Sequence, residues 1–245
     1  MGLTNLPTVD ASEPSLSSAA LTQRCKTLAV NLGERIGLPT GEILLASELA
    51  NEIAVVSLGG RASEMIERNR GGRHRVIPLC TISNDVFAWA GYRENWEKRG
   101  HELKFRFVEA GFTLHVGRVG EIEKPQIMRS EWVGPRGKSF AEHAGHPHWQ
   151  LDVLESARAH LWTKPVIFAV TSPPRVDFEA SEPSPIDLLR RLTLERMHLA
   201  SSTTWWRHPP QPIAHVPTNV ADLDRWILGC ISYLRQEVGR CAIVK

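Results

Sequence analysis

Cysteine is scarce and scattered in this chain. Cys25, Cys80, Cys230 and Cys241 form no Cys-x-x-Cys pair and no metal-ligand spacing. That argues against a disulfide scaffold or a zinc knuckle and for thiols kept reduced. Long apolar runs are missing too. No stretch approaches the ~20 residues that a membrane-spanning helix needs. The first twenty residues, MGLTNLPTVDASEPSLSSAA, lack the apolar core of a secretory signal. Position 6 is Leu6, where a myristoylation signal would place Ser or Thr. These absences predict a cytoplasmic protein without membrane association. Glycine-rich nucleotide loops, a nucleophile elbow, the HExxH pattern and internal repeats are also absent. A net charge of +2 neither requires nor forbids a nucleic-acid partner.

What remains is an ordinary globular composition. The 245 residues are 42% hydrophobic and 23% charged, enough for one sizeable core. Residues 1–17, polar and broken by prolines, read as a flexible arm. Residues 18–245 read as a single domain with internal proline-rich loops at 171–184 and 203–218.

Apolar residues Leu21, Cys25, Leu28, Leu32 and Ile36 recur at helical spacing, which predicts a helix over 19–36 stopped by Gly37 and Pro39. Ile43, Leu44, Leu49, Ile53 and Val56 suggest a second helix from Thr40 to Ser57, and 62–68 a short third. Arg68–Arg75 (RNRGGRHR) reads as a basic turn, either solvated or in contact with phosphate. Val76–Cys80 suggests a strand, 86–92 a strand or helical turn, and 93–101 a charged surface segment.

Four strands then follow in a meander: 103–108, 112–118, 124–132 and 147–153. Glu109-Ala110-Gly111 would be the first turn and 134–145 a loop. Beyond them, 154–162 is helix-like, Val166–Val170 strand-like, and Ser184-Pro185 opens a helix that reaches about Ala200. The stripe Leu223, Trp226, Ile227, Cys230, Ile231, Leu234 and Val238 predicts a final helix over 219–239. Helices, then a meander, then helices gives an α+β fold: an antiparallel four-stranded meander packed against N- and C-terminal helices.

Side chains alternate across a strand, so parity sorts the meander into two faces. Phe105, Phe107, Leu114, Val116, Trp149 and Leu151 form the apolar face. Lys104, Arg106, Thr113, His115, Arg129, Glu131, His146, His148, Gln150 and Asp152 collect on the other. Such a face is either the solvated side of a half-exposed sheet or a site. As a site, His146, His148 and His115 supply acid–base groups, with Glu131 orienting a histidine or abstracting a proton. Arg129, Arg106 and Lys104 supply phosphate-binding charge. Those are the parts of a phosphate-handling centre that needs no cofactor. His143, His146 and His148 form a weaker alternative, a metal set. His198 reads as a surface histidine. Trp205-Trp206 and the prolines after it read as a pinned loop or a partner-docking strip.

Two resemblances follow from these residues. A helix, a meander, the dipeptide His146-Pro147 and further helices resemble the order of ubiquitin-conjugating folds. That family's catalytic cysteine would lie shortly after the dipeptide, whereas the next cysteine here is Cys230. An inactive relative would therefore be implied. The strings FRFVEAGFTLHVGR, KPQIMRSEW and GHPHWQLD, within residues 103–153, resemble uncharacterised bacterial proteins of accessory, mobile or defence-type loci, which imply no activity. Two functions are expected: an enzyme acting on a phosphate-bearing substrate, including nucleic acid, or a non-catalytic module that binds a protein from the same operon.

Overall fold

The computed structural model describes residues 14–50, 52–67, 72–83, 85–98, 103–134, 147–151 and 217–242. The elements are β1 (Ser15–Ser17), α1 (Ser18–Ile36), β2 (Leu44–Ala50), β3 (Ile53–Gly59), β4 (Glu64–Glu67), β5 (Arg73–Ser83), β6 (Val86–Lys98), β7 (Lys104–Arg118), β8 (Gln126–Val133), β9 (His148–Leu151) and α2 (Val220–Ala242). The fold is α+β, as the sequence predicts, but the four-stranded meander is only part of it. Among the described residues, eight strands of four or more residues, with the three-residue β1, form one antiparallel sheet that curls into a half-barrel.

The long β6–β7 hairpin is the spine of the sheet. Along one half, β5 pairs with β6 from Val76↔Gly91 to Ser83↔Val86, and β8 pairs with β7 from Glu109↔Val133 to His115↔Gln126. Along the other half, β3 pairs with residues 93–97 of β6, and β1 pairs with Lys104–Arg106 of β7. Two groups of strands thus share one hairpin. The hairpin bends where Asn95 faces Glu109 while Trp96 faces Phe107, leaving Val108 as the extra residue of a β-bulge.

The helices cover the inner face. Leu21, Cys25, Leu28, Leu32 and Ile36 of α1 are buried, and Leu223, Trp226, Ile227, Cys230, Ile231, Leu234 and Val238 of α2 are fully so. Both stripes dock on one core with Tyr92, Trp96, Phe105, Phe107, Phe112, Leu114 and Trp132. Ser17 caps α1 by accepting from the Ala20 N–H, and Gly37 ends it in the left-handed conformation at φ 77°. At the start of α2, Asn219 Oδ1 accepts from the Asp222 N–H, and Asp222 Oδ2 in turn accepts from the Thr218 hydroxyl.

One buried ionic cluster ties the layers together. Glu94 of β6 is fully buried and accepts both guanidinium NH groups of Arg24, at 2.6 and 2.7 Å. It also accepts from Trp96 Nε1 at 2.7 Å and from the Tyr92 hydroxyl. Arg24 Nε donates to Asp224 of α2 at 2.8 Å. Burial alone would raise the Glu94 carboxyl, but the Arg24 charge and the donors around it hold it below the usual range. Burial raises the Asp224 carboxyl, with Arg24 opposing.

Several local expectations are corrected. Residues 44–59 are the β2–β3 hairpin, not the helix expected over 40–57. Along β3, Ala54, Val56 and Leu58 are buried in strict alternation, and the β-branched Ile53, Val55 and Val56 suit a pleated surface. Leu44, Leu49 and Ile53, which fitted the helical stripe, are about half exposed. Residues 64–67 are β4 rather than a short helix, held by pairing with β5. Residues 93–98, expected at the surface, continue β6 and bury Glu94 and Trp96. Glu109-Ala110-Gly111 is no turn: β7 runs unbroken through it. The bulge at Val108 shifts parity, and locally that looks like one strand ending and another starting. Ser15–Ser17 join the sheet as β1. The elements expected between 154 and 216, and the loop after Gly134 up to residue 146, lie outside the described residues.

Candidate functional site

The polar face of the half-barrel holds a cavity of about 300 Å³. It is lined by His74 of β5, Arg93 and Asn95 of β6, Glu109 to Thr113 of β7, and Arg129, Glu131 and Val133 of β8. Gly111 gives it depth, and Gly91 makes room for the His74–Thr113 contact at its end. Gly111 stands between Arg93 and Glu131 in one cross-strand row. Gly91 stands beside Thr113 in the next, which continues to Arg129. A Cβ on Gly91 would lie 1.9 Å from His74 Nε2 and 2.4 Å from Thr113 Oγ1. With strands ~5 Å apart, Arg93 and Glu131 flank the Gly111 floor at roughly 10 Å from backbone to backbone.

Hydrogen bonds organise the walls. Arg93 Nε donates to Asn95 Oδ1 at 3.3 Å, and Asn95 Nδ2 donates to Glu109 Oε1 at 2.6 Å. Arg129 and Glu131 lie 3.2 Å apart, both about one-third exposed. At one end His74 Nε2 lies 3.2 Å from Thr113 Oγ1. That hydroxyl is also 3.0 Å from His115 Nε2, and His115 Nδ1 is 3.1 Å from the Lys124 carbonyl. The two imidazole centroids are 6.1 Å apart.

Behind the cavity a small second core closes the polar face. Ile66, Val76 and Trp89 pack together with Phe87 against them. Lys124 is buried over Trp89, with Nζ 4.5 Å from the ring centroid, and pairs with Glu64 at 2.7 Å. Trp89 Nε1 donates to the Gly117 carbonyl at 2.9 Å.

The structure brings some of the expected residues together and separates others. Arg129, Glu131 and Thr113 line the cavity. His115 is buried behind it at 1% exposure and reaches it through Thr113. Lys104 and Arg106 lie at the far end of β7 beyond the bulge, roughly 23 to 30 Å along the strand from Thr113. His148 pairs in register with Glu131, and Gln150 with Arg129, so β9 borders the cavity. His143, His146, Asp152, His198 and Trp205-Trp206 lie outside the described residues. Among the described residues no three His, Cys, Asp or Glu side chains cluster to hold a metal ion.

Sequence reading missed His74, Arg93, Asn95 and Glu109. The alternation His74–Val76 marks one face of β5, and Arg93–Asn95 marks one face of β6. Both signals are visible once those strands are extended. Burial disfavours the thiolate form of Cys25, Cys80 and Cys230. Burial pushes Cys25 and Cys80 up to about 11, with Glu94 adding to the effect on Cys25, and pushes Cys230 well above its ordinary value.

Among the described residues no helix is long and apolar enough to cross a membrane. Compared with protein families, with curated proteins and with solved structures, the chain matches none.

Proposed function

We propose that the cavity binds a phosphate-bearing ligand of nucleotide size, free or as one unit of a longer strand, and transfers a proton on it. The observation that carries this reading is a concave polar cavity of about 300 Å³ with Arg93 on one wall, Arg129 on the other and His74 at the end. A cavity of this volume is at the small end of ligand sites and takes a compact polar molecule. Two arginines on the strands either side of β7 offer forked donors to phosphate oxygens. Glu109 and Glu131 match them in charge, so bare phosphate gains little net attraction. A nucleotide suits the walls better, because its base and sugar bring N–H and O–H donors for the carboxylates.

In this reading Arg93 and Arg129 hold the phosphate, and Glu131 orients the ligand or takes a proton. His74 fills the acid–base role that the sequence assigned to His146 and His148. His148 stands beside Glu131 in register on β9. The interaction-module reading has one observation in its favour: Leu44, Leu49 and Ile53 stand about half exposed on the β2–β3 hairpin.

Calorimetric titration with the four ribonucleoside monophosphates and with inorganic phosphate tests the ligand reading. At least one nucleotide binds, and Arg129→Ala and Arg93→Ala each weaken it roughly tenfold, the loss of one charge-assisted hydrogen bond. If no nucleotide binds, or if both variants bind it as the parent does, the reading fails.

A further inference from the structure

We propose that His74, Thr113 and His115 form a polarised relay, in which buried His115 is a positioning residue that fixes, through the Thr113 hydroxyl, which nitrogen of His74 carries the proton. The use of the relay rests on the ligand reading above; its geometry does not.

With His115 neutral, the direction of every bond follows from one end. The Lys124 carbonyl can only accept, so His115 Nδ1, 3.1 Å away, carries a proton. A neutral imidazole protonated at Nδ1 presents a lone pair at Nε2. Thr113 Oγ1 lies 3.0 Å from that nitrogen, so its single proton points there. The hydroxyl then has only lone pairs left for His74. His74 Nε2, 3.2 Å away, must therefore be the donor. A neutral His74 is thus an Nε2–H tautomer, and the next proton it accepts goes to Nδ1.

The surroundings hold this order. Thr113 is 5% exposed and His74 8%, so bulk water competes little for either group. Gly91 lies under the His74–Thr113 contact and leaves space for it. The carbonyl at the far end belongs to a residue whose side chain is fixed by Trp89 and Glu64. When His74 takes up a proton, the new N–H bond forms at Nδ1. The imidazolium then donates more strongly from Nε2 to Thr113, and the polarised hydroxyl donates more strongly to His115. No proton leaves the relay, and no further reactant is needed.

Nitrogen-15 imidazole spectra of the whole protein at pH 7.5 test this without a ligand. His115 appears as the Nδ1–H tautomer and His74 as the Nε2–H tautomer. Thr113→Val keeps the side-chain shape and removes the hydroxyl. It leaves His115 unchanged and lowers the preference of His74 for Nε2–H by roughly tenfold, the worth of one hydrogen bond. Thr113→Ser restores that preference, which a purely packing role for Thr113 does not explain. A proton on His115 Nε2 in the parent protein, readable even if the valine variant does not fold, overturns the relay. So does a His74 tautomer that ignores Thr113→Val. If the tautomers are as stated and no nucleotide binds, the ligand reading fails alone. If nucleotide binds and the tautomers differ, the relay fails alone.

Discussion

At the scale of single residues, the cavity floor and the His74–Thr113 contact each depend on what a glycine lacks. Gly111 has no side chain where Arg93 and Glu131 flank the floor. Gly91 lies where a Cβ would meet His74 Nε2 at 1.9 Å and Thr113 Oγ1 at 2.4 Å, separations that real Cβ atoms do not show. Either ring or hydroxyl must therefore move. Gly91→Ala is expected to separate His74 from Thr113 and to cost about 1–3 kcal/mol, as overpacking does in a well-filled interior. Urea unfolding gives the stability change, and the imidazole spectrum reports whether the His74 signal moves. An unchanged His74 signal would show that the contact does not need the glycine.

Elements act here as carriers of position. The segment after β7 folds back over the polar face. Its Ile122 carbonyl accepts from the Glu67 N–H at 3.0 Å, and its Pro125 carbonyl from the Val116 N–H at 3.1 Å. Lys124 pins this segment by pairing with Glu64, whose carboxylate also accepts from the Gly120 N–H. Glu64→Gln removes the charge and keeps a carbonyl acceptor. Amide exchange at Glu67 and Val116 is expected to quicken roughly three- to tenfold while amides at the centre of α2 are unaffected, because only a local opening becomes easier. Uniform acceleration across the chain would mean that the ion pair supports global stability instead.

Across the whole molecule, the Arg24–Glu94–Asp224 cluster joins α1, β6 and α2, which are far apart in sequence. Glu94 has a lowered pKa in the folded protein. Its contribution to stability is therefore present above the unfolded glutamate value of about 4.3 and is lost as pH falls through the lower folded value. Asp224, raised by burial, works the other way and offsets part of this. Glu94→Gln removes the bidentate carboxylate partner of the Arg24 guanidinium and leaves it only Asp224, a loss of about 3–5 kcal/mol at neutral pH. It also flattens the fall of stability below about pH 4. Urea midpoints measured from pH 2 to pH 7 check both, and an acid limb as steep as the parent's would place acid sensitivity elsewhere.

The two helices were legible because their signal is local. One apolar residue every three or four positions, ended by Gly37 in α1 and opened by Asn219 in α2, needs no partner to be recognised. The separation of Phe112, Leu114 and Val116 from Thr113 and His115 was legible for the same reason, since alternation within one strand defines its two faces. Residues 44–59 were misread because apolar spacing there fits both periods. Pairing of β3 with β6, 36 to 44 residues away, and packing of β2 on α1 select the strand form.

Sequence alone determined an α+β class, two helix stripes on a shared core, and a polar face holding Thr113, His115, Arg129 and Glu131. Tertiary structure decided which of these residues meet. Register set Arg93 against Gly111 and Glu131. A single bulge at Val108 bent the spine, and the length of β7 left Lys104 and Arg106 at its far end. Pairing of β5 with β6 brought in His74, 39 residues before Thr113. The physical reason is that periodicity is a property of a few consecutive residues, while register, bulges and a buried ion cluster are settled only by segments that are distant in the chain.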